Sequence, residues 1–264
     1  MKSYRRVAPV LVLALTAFTG IAAAQQFITK QATPSDWAAL AKLPDFTGVW
    51  ERGGGGGGGA RGGRGARGAA PAGPQFTPEY EARRKAFQSN APEDNETANC
   101  LPPGMPGIMT QPYPMEFLLT PGKVTIVIEA YTQVRHIYTD GRKLPEDPGE
   151  EFHGTSVGRW EGDTLVVDTV GFSPLTFLQR GVPHSGKMKI VERFRLSDPD
   201  TMTIETTITD PEALTAPWVS NSTLRRHRDW TIAEYICEEN NRNSVDEKGK
   251  AGINLTAPVS PQKD

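Results

Sequence analysis

The sequence predicts a mainly β protein: an antiparallel up-and-down meander that closes into a barrel or, as the alternative, folds into a sandwich, with short helices before it. Three observations carry that expectation. Apolar residues recur at every second position in several separate runs after residue 115, the period of half-buried strands. Turn residues punctuate the runs, at Pro121-Gly122, Glu161-Gly162-Asp163 and Asp198-Pro199-Asp200. No stretch between the runs reads as a helix long enough to cross over between parallel strands.

The first element is a targeting segment. Lys2, Arg5 and Arg6 precede an apolar run from Val7 to about Ala17, and small residues follow at Ala22-Ala23-Ala24. This is the charged, apolar and small-residue succession of a secretory signal, with cleavage expected after Ala24. The run is too short to span a bilayer comfortably and no comparable segment follows, so a periplasmic or secreted protein with no membrane span after cleavage is expected. In an oxidising compartment Cys100 and Cys237 are read as a disulfide rather than two separate thiols. Closing so long a loop constrains the unfolded chain by roughly 5 kcal/mol in the chain-entropy picture.

The mature chain divides by composition. Residues 25–52 hold a short helix over Pro34–Ala41, with Ser35 or Asp36 as N-cap, and a first strand ending at Val49-Trp50. Residues 53–75 are low complexity, seven consecutive glycines followed by Arg61, Arg64 and Arg67 among Gly and Ala. Such a stretch buries too little apolar area to offset its ordering entropy and is expected to be a disordered linker. Residues 76–114 combine a charged helix, with Pro78 suited to its first turn, and a Pro-rich coil. The β domain follows over residues 115–241, and residues 242–264 read as a disordered tail.

Within the β domain Val124, Ile126 and Ile128 share a face, as do Leu165, Val167 and Thr169, and Met202, Ile204, Thr206 and Ile208. The 264 residues carry 29 Lys+Arg against 31 Asp+Glu, a net charge of −2, which gives no reason to expect nucleic acid as a partner. Two cysteines exclude a four-thiolate metal site. Neither a phosphate loop nor a dinucleotide fingerprint occurs, and no cofactor is expected.

The candidate site rests on polar residues in apolar registers. In Met188–Leu196 the even positions read Met, Ile, Glu, Phe, Leu, so an inward face carries Glu192 beside Phe194. A buried carboxylate is costly unless it is paired or hydrogen-bonded. Glu192 is therefore either a ligand anchor or acid/base group, or the partner of an inward Arg135, Arg159 or Arg226. His136 shares a face with Val134 and Tyr138; if that face looks inward, it adds a second polar group to the interior. His153–Asp163 offers Arg159 as an anion clamp, Trp160 as a stacking face and glycines 154 and 158 for close backbone approach, or else a strand–turn–strand corner anchored by Trp160. His184 lies in a loop, where packing gives no reason for it. His136, His153 and His184 have no short ligand spacing to one another, so no metal site is expected.

The block Gly158-Arg159-Trp160-Glu161-Gly162-Asp163-Thr164-Leu165-Val166-Val167-Asp168-Thr169, with Pro183-His184-Ser185, Glu192-Arg193-Phe194, Asp210-Pro211, Pro217-Trp218 and Cys237-Glu238-Glu239-Asn240, resembles a large group of exported bacterial proteins of no assigned function. The resemblance spans roughly residues 45–241. The histidine loop of that group often reads His-Pro-His-Ser-Glu; here Val182 and Gly186 replace its first His and its Glu, removing two candidate polar groups. Gly48-Val49-Trp50 is similar to the Gly-x-Trp of lipocalin-like barrels. That likeness implies a Trp closing one barrel end under an Arg of a late strand, Arg225 or Arg226.

Three functions remain open on these residues. The first is an exported barrel binding a small, largely apolar or aromatic molecule through His136, Tyr138, Arg159, Trp160, Glu192 and Phe194. The second is a lyase, isomerase or hydrolase using His184 or His153 with Glu192. The third is a structural or partner-binding envelope protein tethered by the glycine stretch.

Overall fold

Nine strands close into a barrel in the order of the sequence. They are β1 (Gly48–Arg52), β2 (Met115–Thr120), β3 (Lys123–Ile128), β4 (Gln133–Tyr138), β5 (Thr155–Glu161), β6 (Thr164–Val170), β7 (Lys189–Asp198), β8 (Thr201–Thr209) and β9 (Trp218–His227). The computed structural model describes residues 31–53, 73–89, 101–178, 183–236, 243–245 and 251–253, and the barrel belongs to the unit Thr33–Asp264. The signal segment 1–24, residues 54–72 of the glycine stretch, and Cys100 and Cys237 lie outside the described residues. Asn243–Val245 pairs with Ala251–Ile253 in a separate hairpin within the stretch read as a tail. No described helix is long and apolar enough to cross a membrane.

Closure, rather than a sandwich, removes both sheet edges: β1 pairs with β2 on one side and β9 on the other, with Trp50 opposite Met115 and Arg226. The turns fall where the sequence placed them. Glu161 pairs with Thr164 across Gly162 (φ +64°), and Asp198 pairs with Thr201. The meander departs from expectation at one seam: β4 and β5 are parallel, pairing Ile137 with Ser156 and Tyr138 with Val157. The connection that permits this is the coil 139–154, so no crossover helix was needed.

Two helices precede the main run of strands. In α1 (Pro34–Leu40) the N-cap is Thr33, not Ser35 or Asp36. The Asp36 amide donates to the Thr33 hydroxyl at 3.3 Å, and the Thr33 amide donates back to the Asp36 carboxylate at 2.8 Å. Pro34, lacking an amide hydrogen, fits the first helical position, which moves the cap one residue earlier. Helix α2 (Pro78–Ser89) is tied to the β8–β9 loop by the Thr77 amide donating to the Ala213 carbonyl at 2.9 Å.

The interior follows the two-residue period. Val124, Ile126 and Ile128 are buried, as are Leu165, Val167 and Thr169, and Ile190, Glu192 and Phe194. Trp50, fully buried, donates its indole N–H to the Phe46 carbonyl at 2.9 Å, and Phe46 packs on Trp160 with ring centroids 5.1 Å apart. The Arg226 guanidinium carbon lies 4.5 Å over the Trp50 ring, and Arg226 also donates to the Asp45 carboxylate at 3.0 Å. An indole capped by a late-strand arginine thus joins the first strand to the last.

Candidate functional site

Barrel register brings four polar side chains from consecutive strands into one interior layer. Arg135 of β4 lies opposite Ile126, Ser156 of β5 opposite Thr169 of β6, and Glu192 of β7 opposite Val167. Each is buried, Arg135 and Glu192 at 1% exposure apiece. The guanidinium grips the carboxylate with both terminal nitrogens, Nη1 donating to Oε1 at 3.2 Å and Nη2 to Oε2. Nη2 also reaches the hydroxyls of Ser156 at 3.3 Å and Thr169 at 3.1 Å, which lie 3.0 Å from each other. Stripping water from two charges costs several kcal/mol, and a two-pronged contact with added hydroxyls is the geometry that offsets it.

The layer is incompletely satisfied. Among the described residues Arg135 Nε and His153 Nε2 are buried without a hydrogen-bond partner, as is Arg226 Nε outside this layer. His153 sits at the foot of β5, with Nδ1 3.4 Å from the Val134 carbonyl. Since that carbonyl only accepts, Nδ1 carries the proton and Nε2 presents a lone pair. Burial, with the Arg135 charge nearby, pushes the His153 imidazole down to about 4 despite the Val134 contact, so the ring is neutral at ordinary pH.

His184 belongs to a different cluster. Its Nε2 lies 2.8 Å from the Thr176 hydroxyl and its Nδ1 2.8 Å from the Ser185 carbonyl, so both ring nitrogens are engaged. Ser185 donates its amide and its hydroxyl to Asp210, each at 2.6 Å, and Asp210 also accepts the Glu212 and Ala213 amides at 3.1 Å. This hub locks the β6–β7 loop to the β8–β9 loop. The Ser185 hydroxyl points at a carboxylate, not at an imidazole, so the three residues do not form a nucleophilic triad.

The sequence-named residues fall on two sides of the wall. Glu192 and Phe194 point inward, and Trp160 packs against the core. His136 is on the outer face, which corrects the conditional reading that put it inside: Arg135 and Ile137 take the inward positions of β4, since Glu192 needs the cation. The outer His136 lies 3.3 Å from the Thr125 hydroxyl, and partial burial with Lys123 nearby lowers its imidazole. Tyr138 is also outward, with the Arg142 guanidinium carbon 3.8 Å over its ring. Arg159 is exposed and binds Asp168 at 2.7 Å and Glu161 at 3.0 Å. Partial burial works to raise Asp168, but Lys189 and Arg159 outweigh it and hold the carboxyl below its ordinary value.

Glycine 158 has the close-approach duty expected of it. A Cβ there would lie 2.8 Å from the Ile137 side chain across the parallel seam. Sequence reasoning missed Ser156, Thr169, Thr176 and Asp210 as site members. Thr169 was in phase with Leu165 and Val167, and Ser156 with Gly158 and Trp160, so alternation alone would have found both. Among the described residues no three His, Cys, Asp or Glu side chains converge to hold a metal ion. No protein-family model matches the chain, and no curated protein matches it.

Proposed function

We propose that this is an exported small-molecule-binding barrel whose ligand addresses the interior layer around Arg135 and Glu192. The observation that carries the reading is that two of the three buried polar atoms without partners among the described residues, Arg135 Nε and His153 Nε2, lie beside a fully buried ion pair. Native interiors leave few such groups unmatched, and each costs about 1–3 kcal/mol until something meets it. Phe194 and Trp160 supply apolar and aromatic surface on the same interior, in keeping with a largely apolar or aromatic ligand. His136, Tyr138 and Arg159 take no part, because their side chains lie on the outer face. Export, with cleavage after Ala24, belongs to this reading and rests on the N-terminal charge and apolar pattern.

Acid/base catalysis draws less support. Both Glu192 oxygens are held by Arg135, and both His184 ring nitrogens are engaged, which leaves the half-buried His153 as the imidazole beside this layer with an unengaged nitrogen among the described residues.

The test is native mass spectrometry of the mature chain taken from the cell envelope. A small-molecule adduct is expected, lost from a folded Arg135→Met/Glu192→Leu double variant. A chain that carries no adduct, and that no compound in a broad thermal-shift panel stabilises saturably, sinks the proposal.

A further inference from the structure

The parallel seam singles out one place in the wall. Strands β4 and β5 share only the register pairs Ile137–Ser156 and Tyr138–Val157, and every other seam of the barrel is longer. Residues 133–136 of β4 therefore lie outside any strand pairing on the β5 side. There the His153 ring, at the end of the coil 139–154, meets the Val134 carbonyl. The base of that coil is held by the Glu151 amide on the Gly171 carbonyl and the Ser173 amide on the Glu151 carbonyl, both at 2.9 Å. Most of residues 141–150 is exposed.

Two of the three unmatched buried atoms among the described residues belong to this seam, and the third, Arg226 Nε, lies at the β1–β9 closure. One is the Nε–H of Arg135, a donor, on the residue that follows Val134. The other is Nε2 of His153, an acceptor, because the ring proton is committed at Nδ1 to the Val134 carbonyl. The Arg135 charge is already balanced by Glu192, so the seam holds no net positive charge to attract an anion. A carboxylate would set its lone pairs against that of His153, and an ammonium group would face the guanidinium. A neutral group that both accepts and donates matches both atoms in polarity.

We infer that the ligand's polar end lies at the open half of the β4–β5 seam and is a neutral donor–acceptor group, a hydroxyl or a primary carboxamide, held by Arg135 Nε and His153 Nε2. This inference rests on the binding reading above and narrows it to a chemical class, an apolar molecule ending in an alcohol or amide.

The test uses the mature full-length chain labelled with ¹⁵N, following the Arg135 Nε–Hε and His153 Nε2 resonances during titration with 1-octanol, octanamide and octanoate. Octanol or octanamide is expected to move both resonances saturably, with octanoate about tenfold weaker or worse, the size of one unmet buried polar contact. His153→Phe is expected to abolish the preference for the neutral probes while the fold persists. Octanoate binding as tightly as octanol at the same resonances overturns the inference. So does a long-lived water contact at Arg135 Hε that no probe displaces. If the probes move Trp50 and Phe194 signals but leave Arg135 and His153 untouched, the barrel still binds and only the seam assignment fails. If none of the three moves any interior signal, this inference and the binding reading fall together.

Discussion

Strands β4 to β7 carry ion pairs on both faces of one wall, and the two sets do different work. Inside, Glu192 meets Arg135 with side chains 2% and 1% exposed. Outside, on the same strands, Asp168 meets Arg159 and Lys189 with side chains 18%, 57% and 45% exposed. Neighbours along β7 alternate between these worlds, Glu192 inward and Arg193 out to Glu161. Water competes for the outer charges and screens them, so each outer pair contributes little. The inner charges have no such alternative. Their pairing is costly to assemble and more costly to break, which makes the inner layer a determinant of register and the outer ladder a solvated surface.

The sharpest way to break that contrast is Glu192→Gln. It leaves the Arg135 charge buried without its counterion and should cost about 3–5 kcal/mol in urea unfolding. Arg135→Met with Glu192→Leu should recover most of that loss, since an apolar pair of similar volume is often neutral. A single-variant loss under about 1 kcal/mol would remove the energetic distinction between the two faces.

Acid probes the interior next. The folded His153 titrates near 4, below its unfolded value of 6.5. Between those values the unfolded chain binds the extra proton, so stability falls as pH drops from about 6.5 to 4, by on the order of 3 kcal/mol. His153→Phe should flatten that part of the pH–stability curve, whereas a slope unchanged in the variant would assign it to other groups.

Arg226 is intermediate, a cation with its side chain 6% exposed that lies over Trp50 and pairs with the solvent-facing Asp45. Arg226→Met should cost about 1–2 kcal/mol in thermal unfolding, the size of a largely desolvated cation–π contact, the bond to the exposed Asp45 adding little. A loss as large as that of Glu192→Gln would rank barrel closure above the inner pair. The smallest effect belongs to Arg159→Ala, at most about 1 kcal/mol and erased by 1 M salt. A larger, salt-resistant loss would mean that the outer ladder contributes more than its exposure implies.

Legibility followed the same division. The inward set of β6, β7 and β8 was readable because alternation is continuous there, and Glu192 stood out as the one acid in an apolar phase. Strand β4 was harder. Val134, His136 and Tyr138 look like an apolar face interrupted by one histidine, yet Arg135 and Ile137 are the inward pair. Local hydrophobicity ranked the phases one way, and the need of a buried carboxylate for a cation ranked them the other. The parallel seam was hidden for a related reason. A parallel crossover is expected to be a helix, but the chain spans the distance with the Pro- and Glu-bearing coil 139–154, which has no periodicity to detect.

The linear order of residues determined on its own the strand alternation, the hairpin turns and the inward acid at position 192, because side-chain direction along a strand repeats every two residues and needs no partner. Which of three arginines would meet that acid, and which hydrogen-bonding atoms would remain unmatched beside it, was decided only by closure. Closing the barrel sets the register between strands far apart in the chain, and that register chose Arg135, turned His136 to the outside and left His153 against the Val134 carbonyl at the open seam.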